Sequence, residues 1–373
     1  MSISSPSKQA TYMNGGINWK EEYLNEEGKL DNGSIEKEEI FFDQIAKQIR
    51  EVVNHFTPDN NHVPSRANHA KIIAGFANAI FRVLPSPAFP QDLTVGFLVP
   101  GLEYKAILRF SNANGEITGD DSKPDLRGVA LRIETGSGNQ DFLMTNAELH
   151  HAKDAREAMI TIRAGVEKDI IADMIPDHLP LEDQIAGMFG ALPFLVKHLG
   201  FKTALRIAGT LKKQMKLKVE SISTETFWSR APLAIGNAMT PAQSAAVKYR
   251  LRPAIKKTEQ EHIKQGEKDL TQKFEDELST RDIKFYFEVQ RFKDSVSTPI
   301  EDSTISWGDD SSFEPIAELI IPMKSKNEKE LVDGLTFSPW NLDAAHFRPL
   351  GSMNRSRRKV YAASAEERNR KPL

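Results

Sequence analysis

Runs of residues suited to strands, set on both sides of a long helical stretch, limit what this chain can fold into more than any other feature. Lys105 to Ser111, Leu126 to Thr135 and Asp141 to Asn146 precede the helical stretch; Ser221 to Arg230, Ala245 to Leu251, Ile283 to Phe292 and Pro315 to Ile321 follow it. Lys105 to Ser111 carries Ile107, Leu108 and Phe110, and Leu126 to Thr135 roughly alternates apolar with polar residues, both patterns that suit a pleated, half-buried surface. Ala67 to Leu84 is longer, with Phe76, Ile80, Phe81 and Val83. By periodicity alone it is either a strand or a buried helix. Counted as a strand it brings the number to eight, four before the helical stretch and four after. Eight antiparallel strands can close into a barrel and so remove their edges.

The remainder reads as helix and loop. Ile45, Ile49, Val52, Val53 and Phe56 recur at helical spacing within Ile40 to Phe56, predicting an amphipathic helix. His151 to Val166 and Leu181 to Leu217 have helical character, as does a charged segment from Glu259 to Leu278. Within the second, Leu195, Leu199, Leu205, Ile207 and Leu211 accompany Lys202, Lys212, Lys213, Lys216 and Lys218. Such a basic amphipathic stretch suits either a membrane surface or a helix with one face packed on the barrel and the other solvated; the second is the simpler expectation. Pro58 to Pro64, Asn112 to Lys123 and Pro322 to Pro349 read as loops. Ser352 to Arg368 lacks Pro and Gly and is rich in Arg, Lys, Ala and Glu, so it reads as a final helix. Met1 to Glu38 is polar, which predicts an arm at residues 1–38 and a single domain over 39–373.

Composition removes several functional classes. The 373 residues include no cysteine, so disulfides, thiolate metal sites and Cys nucleophiles are excluded. With 49 basic and 52 acidic residues the net charge is −3, giving no general pull toward nucleic acid or membrane. Arg355, Arg357, Arg358 and Lys359 form a basic run, but Glu366 and Glu367 follow it, so nucleic acid is not the expected partner. The first twelve residues lack an apolar core of signal-peptide length, and the expected location is the cytoplasm. No P-loop, dinucleotide fingerprint or zinc spacing occurs. His150 and His151 are adjacent; on a strand they would point to opposite faces and could not share one metal.

Arg357 and Tyr361 are four residues apart on the last predicted helix, so their side chains share a face. A guanidinium beside a phenol favours the ionised form, and tyrosinate can hold haem iron. By itself the pair also fits a tyrosine packed beneath a basic solvated helix, just as a lone His69 fits an ordinary satisfied histidine. Their company changes the reading. Arg66-x-x-His69-Ala70-Lys71, Arg109-Phe110-Ser111, Asp125-Leu126-Arg127-Gly128-Val129-Ala130-Leu131, Asp141-Phe142-Leu143-Met144-Thr145-Asn146 and Arg357-x-x-x-Tyr361 occur in that order. Together they resemble the haem catalase superfamily, from about Arg66 to Asp154 and again from about Phe227 to Tyr361.

The resemblance implies an α+β fold: an eight-stranded antiparallel β-barrel with helical insertions and a C-terminal helix on the proximal side of a haem b. Ala67 to Leu84 then becomes a strand with His69 near its start. The resemblance makes His69 the distal base that moves the peroxide proton and Ser111 the group that fixes its ring. Tyr361 becomes the iron ligand, Arg357 its cationic partner, and Arg66 and Arg109 the partners of the haem propionates. A gapless match puts Thr145 where the family has a distal asparagine, with Asn146 one place later; Asn146 is preferred, since a local bulge would bring it to the right face. The proximal helix follows Pro349-Leu350-Gly351 almost directly, and the chain ends twelve residues after Tyr361. In this it looks like the short catalase-related haem proteins, the group that includes coral allene oxide synthase. Asn68 matches neither the valine of catalases nor the threonine of that enzyme. The implied function is cleavage of the O–O bond of fatty-acid hydroperoxides, by allene oxide synthase, lyase or peroxidase chemistry. Alternatives are a small catalase or peroxidase acting on hydrogen peroxide, and a non-catalytic haem carrier. A homo-oligomer is compatible with the family, and the uncharged stretch Ile185 to Leu195 suits either an entrance or packing on the barrel.

Overall fold

The computed structural model describes residues 18–55, 66, 68–113, 124–172, 191–237, 240–255, 269–309 and 311–369. Among them the strands in chain order are β1 (Ile72–Val83), β2 (Glu103–Asn112), β3 (Arg127–Glu134), β4 (Asn139–Thr145), β5 (Phe227–Trp228), β6 (Leu233–Gly236), β7 (Ser244–Pro253), β8 (Ile283–Arg291), β9 (Phe313–Ile321) and β10 (Phe347–Pro349). Eight of them close the expected antiparallel barrel, running β1-β2-β3-β4-β5-β7-β8-β9 and back to β1. The narrowest link is β5, which joins β4 only through Thr145 opposite Trp228. β6 pairs with the first half of β7 and carries β10 on its other edge.

Side chains alternate across these strands. Leu108 and Phe110, Val129 and Leu131, Phe142 and Met144, and Tyr249 and Leu251 turn into one shared core. Aromatic rings fill its middle: Phe142 lies 4.8 Å from Phe287, and Tyr249 stacks on Phe287 at 5.6 Å. The barrel interior is therefore packed, and a functional site has to be built on its outside.

Helices cover that outer face. They are α1 (Ile35–His55), α2 (Ala155–Ala172), α3 (Phe201–Gln214), α4 (Leu270–Thr280), α5 (Lys329–Asp333) and α6 (Gly351–Arg368). α1 buries Phe41, Phe42, Ile45, Ile49 and Val53 against Ala155 of α2 and Val360 of α6. Beneath this apolar contact lies a cluster of charges. The Arg355 guanidinium pairs with Glu38 at 2.7 Å, Glu301 at 3.0 Å and Glu21 at 2.5 Å, and burial raises the Glu301 carboxyl above its usual range. Arg358 and Lys359 pair with Glu39, and Lys359 also with Asp43. Most of the basic run is thus spent on α1 rather than presented to a partner.

Several expectations change in detail. The predicted strand Ser221 to Arg230 is a 3-10 turn at Ile222–Thr224 followed by the two-residue β5. The long predicted helix is interrupted at Gly200, whose φ of 80° ends one turn and begins another. The loop expected over Pro322 to Pro349 contains α5 and β10. The polar arm packs where it is described: Trp19 and Leu24 are buried, and Trp19 donates to the Ser244 carbonyl at 3.2 Å. The loop Pro58 to Pro64, most of Asn112 to Lys123, the start of the helix predicted from Glu259, and Ile185 to Gly190 of the proposed entrance lie outside the described residues. No described helix is long and apolar enough to cross a membrane.

Removing the Arg355 charge while keeping its bulk leaves three enclosed carboxylates without their shared cation. Arg355→Met should lower unfolding stability by about 3–5 kcal/mol, read from urea unfolding followed by tryptophan fluorescence. An unchanged midpoint would show that the cluster contributes nothing net.

Candidate functional site

Strand register brings the predicted residues of the first half together. Ser111 of β2 lies opposite Gly128 of β3, Gly128 opposite Thr145 of β4, and Thr145 opposite Trp228 of β5. Residues directly opposite share a face, so these four positions form one row on the outside of the barrel. The next row contains Arg109, Ala130 and Leu143, and the one after it Ile107, Arg132 and Asp141.

His69 sits over the first row. It precedes β1 in a turn with φ of 58°, a left-handed conformation that costs a non-glycine residue energy and is kept only where its surroundings enforce it. Here its amide donates to the Ala113 carbonyl at 2.9 Å, and its own carbonyl accepts from Arg109 Nη1 at 2.9 Å. The ring lies against Gly128, where a Cβ would come within 2.5 Å of Nδ1. Nδ1 is 3.2 Å from Ser111 Oγ. The residue as a whole keeps some accessible surface although its ring lies deep in the molecule. Burial, then the charges of Arg109 and Arg230, push its pKa down to about 3, so the ring is neutral over the physiological range.

Thr145, not Asn146, shares the face of His69. Asn146 lies beyond the end of β4 with its amide committed: Oδ1 accepts from the Arg127 amide at 2.7 Å and Nδ2 donates to Glu225 at 3.2 Å. The bulge that would turn Asn146 onto the row does not occur, because β3 and β4 stay in register from Gly128 opposite Thr145 to Glu134 opposite Asn139. Asp125 and Arg127, from the same motif, tie strand ends together: Asp125 accepts from the Ala113 amide, and Arg127 donates to Asn112 at 2.6 Å.

The second half arrives on α6. Arg357, Tyr361 and Arg368 lie within one narrow arc of that helix, and Arg355 lies on the other side. Arg357 donates to Asn354 at 2.8 Å, and its charge reaches the imidazole of His69. Its field and that of Tyr361 both reach Tyr249, whose phenol burial pushes up to about 12. Arg357, one turn before Tyr361, therefore lies within electrostatic reach of His69. Arg66, Arg109 and Arg368 gather around Asp333. Arg109 donates to Asp333 at 2.8 Å and to the Ala70 carbonyl at 3.0 Å, while Arg66 donates to the Asp333 carbonyl at 2.7 Å. Arg109 thus holds the turn of His69 as well as facing the site. Among the described residues the buried Nε of Arg368 has no hydrogen-bond partner.

Three residues were not singled out from sequence. Gly128 had a signal, a glycine inside a strand pattern, which marks a close approach. Arg368 had one in its spacing of seven from Tyr361, two turns along the same face. Arg230 had none. It is buried, with φ of 62°, and both Nε and Nη2 donate to the Leu149 carbonyl, at 3.1 and 2.7 Å. Among the described residues no carboxylate pairs with it, and burial together with Arg357 pushes its pKa down to about 9. His150 and His151, next to Leu149, lie off any strand and stack at 4.3 Å between ring centroids.

As a donor set this fits an iron porphyrin. It offers a phenol for the metal, guanidinium groups with a buried unmet donor for two carboxylates, and an imidazole on a wall shaped by a glycine. Among the described residues no group of three His, Asp or Glu converges on a metal position of its own.

Residues 43–170 match the family model for catalase. A catalase of Ascaris suum is 30% identical over 115 residues, which are 31% of this chain and 19% of that protein. Catalase isozyme 2 of Nicotiana plumbaginifolia is 31% identical over 109 residues, 29% of this chain and 21% of its own. The matched segments therefore span about a fifth of these relatives. Solved structures extend the likeness in fold. A bacterial catalase superposes with a TM-score of 0.61 at 17% identity, covering 99% of this chain and 67% of the other. Catalase A from Saccharomyces cerevisiae gives 0.55 at 14% identity, covering 96% and 70%.

The contact between Gly128 and His69 is open to a direct check. In Gly128→Ala the new methyl would overlap the imidazole, and β3 is held on both sides, so the ring must yield. A crystal structure of the variant should show His69 displaced and its bond to Ser111 broken, with a stability cost of about 1–3 kcal/mol. An imidazole left in place would show that the glycine is not required there.

Proposed function

We propose that the chain is a haem enzyme of the catalase superfamily that cleaves the O–O bond of organic hydroperoxides, those of fatty acids foremost. The observation that carries this reading is His69: a deeply placed, neutral imidazole, anchored through Nδ1 to Ser111 and within the field of an arginine from the Tyr361 helix. An ordinary structural histidine needs neither a strained turn nor a glycine beneath its ring.

Tyr361 is the residue that would hold the iron through its phenol oxygen, and Arg66, Arg109 and Arg368 would take the cofactor's two carboxylates in the planar geometry guanidinium groups favour. When bound, haem b supplies the redox-active iron at which the O–O bond divides. The protein's part is proton management and charge. With Nδ1–H donated to Ser111 Oγ, Nε2 of His69 is the basic nitrogen; it accepts the hydroperoxide proton and returns it to the departing oxygen. Arg230, without a carboxylate partner among the described residues, sets a positive field where negative charge develops as the bond opens. Thr145 takes the wall position that an amide would otherwise occupy.

Support for an organic substrate comes from the wall. Leu143 and Trp228, both only partly buried, give it an apolar surface. Its hydroxyls are already engaged, Ser111 with His69 and Thr145 with the Ala147 carbonyl at 3.4 Å. Such a wall suits a carbon chain, which gains about 0.8 kcal/mol per buried CH₂, better than the hydrogen-bonding shell of hydrogen peroxide.

Two variants separate the roles of the two sides. Tyr361→Phe should lose most of its haem, seen as a lost Soret band, while far-UV circular dichroism stays that of the parent. His69→Ala should keep its haem and lose roughly 10²–10⁴-fold in peroxide turnover. Full haem occupancy in the first, or unchanged turnover per haem in the second, removes the residue concerned from its role; turnover absent from the parent chain itself would favour a haem carrier.

The substrate is decided by comparing kcat/KM for a polyunsaturated fatty-acid hydroperoxide with that for hydrogen peroxide, and by identifying the product as allene oxide, aldehyde or alcohol. The lipid substrate should be preferred. Preference for hydrogen peroxide with vigorous oxygen release would place the protein with catalases in activity as well as fold.

A further inference from the structure

Helix α3 has two faces, and the site uses neither. Ala204, Ile207 and Gln214 are buried, the first two packing with Ile160 and Ala164 of α2 and with Leu195. Around the other side Phe201 is 65% exposed and Leu205 46%, one turn apart on the helix. Lys202, Lys212 and Lys213 are exposed on the same arc, and Met215, Lys216 and Lys218 follow just past its end. Lys197 is exposed just before its start. Arg206 alone turns inward, pairing with Glu157 and donating to the His151 carbonyl at 2.8 Å. None of the six lysines has an ion-pair partner among the described residues, in contrast to Arg358 and Lys359 on α6.

The sequence sharpens this asymmetry. Between Asp183 and Glu220 there is no acidic residue and there are seven basic ones. The net charge of the chain is −3 and this segment carries +7, so the remainder carries −10. Charge is segregated, and exposed apolar side chains are set among the cations. Neither feature is needed for packing on the barrel side, which Ala204 and Ile207 already accomplish.

We propose that this face docks the protein on an anionic lipid surface, with α3 lying flat, Phe201 and Leu205 entering the headgroup boundary and the lysines meeting lipid phosphates. A helix of this kind binds by combining apolar burial with attraction to negative headgroups. A nucleic acid would satisfy the lysines but leave the phenyl and isobutyl groups in water. The proposal goes beyond the chemistry of the site and holds whichever peroxide that site takes. Arg206 links the face to His151, so a docked protein would have its lipid-facing helix directly behind residues beside Arg230.

Vesicle sedimentation of the full chain tests this, using phosphatidylcholine alone and phosphatidylcholine mixed with phosphatidylglycerol at about 0.1 M salt, where exposed charges are screened beyond roughly 10 Å. Binding is expected to the mixed vesicles only, weakening as salt rises. Lys202→Gln with Lys212→Gln and Lys213→Gln should reduce partitioning by about fivefold per lysine, roughly a hundredfold together. Phe201→Ser with Leu205→Ser should reduce it while leaving weak binding to heparin, a polyanion without a membrane, unchanged. No binding to mixed vesicles, equal binding to neutral ones, or unreduced binding by either variant overturns the proposal. So does binding to heparin or RNA that exceeds binding to mixed vesicles, which would assign the face to a soluble polyanion.

Discussion

The pairing of Arg355 with Glu21, Glu38 and Glu301 is the interaction on which the aim of α6 depends. The three carboxylates come from the segment before α1, from α1 itself and from the connection between β8 and β9. One guanidinium therefore fixes α6 against three separate parts of the chain. Helical geometry does the rest: positions 357, 361 and 368 lie across the helix axis from 355. Buried ion pairs are poor sources of net stability but good selectors of one geometry, since any other arrangement strands charges. A proximal helix has to be held in rotation as well as in position, and an apolar contact such as Val360 on α1 constrains rotation far less.

On the barrel side the corresponding constraint is packing. Phe142, Tyr249 and Phe287 occupy the middle of the barrel so fully that side chains of the outer rows carry all the chemistry. The register then sets their order. Ser111, Gly128, Thr145 and Trp228 form a row only because four strands align there, and the absence of a Cβ on the second lets an imidazole lie against the sheet. Arg109 connects row and turn, donating to the carbonyls of His69 and Ala70 while pairing with Asp333. A residue marked in sequence as a partner for a ligand is at the same time a brace for the strained turn.

Sequence made much of this legible where local rules decide. Alternation along Leu126 to Thr135 and the i, i+4 spacing of Arg357 and Tyr361 are such cases, and β3 and α6 occupy those places. What escaped depended on tertiary partners. β6 and β10 are short; β6 pairs with β7, and β10 pairs only with β6 among the described residues. The run Arg355 to Lys359 looked like a solvated basic face because most of its acids lie more than three hundred residues away, in α1 and before it, and Glu301 lies fifty-four residues away on another connection. The choice between Thr145 and Asn146 turned on whether a bulge was present, which no single sequence states. Arg230 carried no pattern at all, since its place follows from a left-handed backbone at the end of a two-residue strand.

The electrostatics of the site follow from where its charges were left. Burial, and then the charge of Arg357, lower the pKa of Arg230, and the described residues offer neither arginine a carboxylate. Arg368 keeps a buried Nε with no acceptor among the described residues. Elsewhere the chain pairs its buried cations closely, as Arg132 does with Asp141 at 2.7 Å and Arg355 with its three acids. Desolvated cations without partners are costly, so a fold that concentrates them in one place spends stability there that an anionic ligand restores on binding. Two of these arginines, Arg230 and Arg357, act together with Arg109 to keep His69 from holding a proton, because each adds positive potential at an imidazole that burial already disfavours charging. One set of charges thus does two things: it readies the region for an anion and leaves the base above it free to accept a proton.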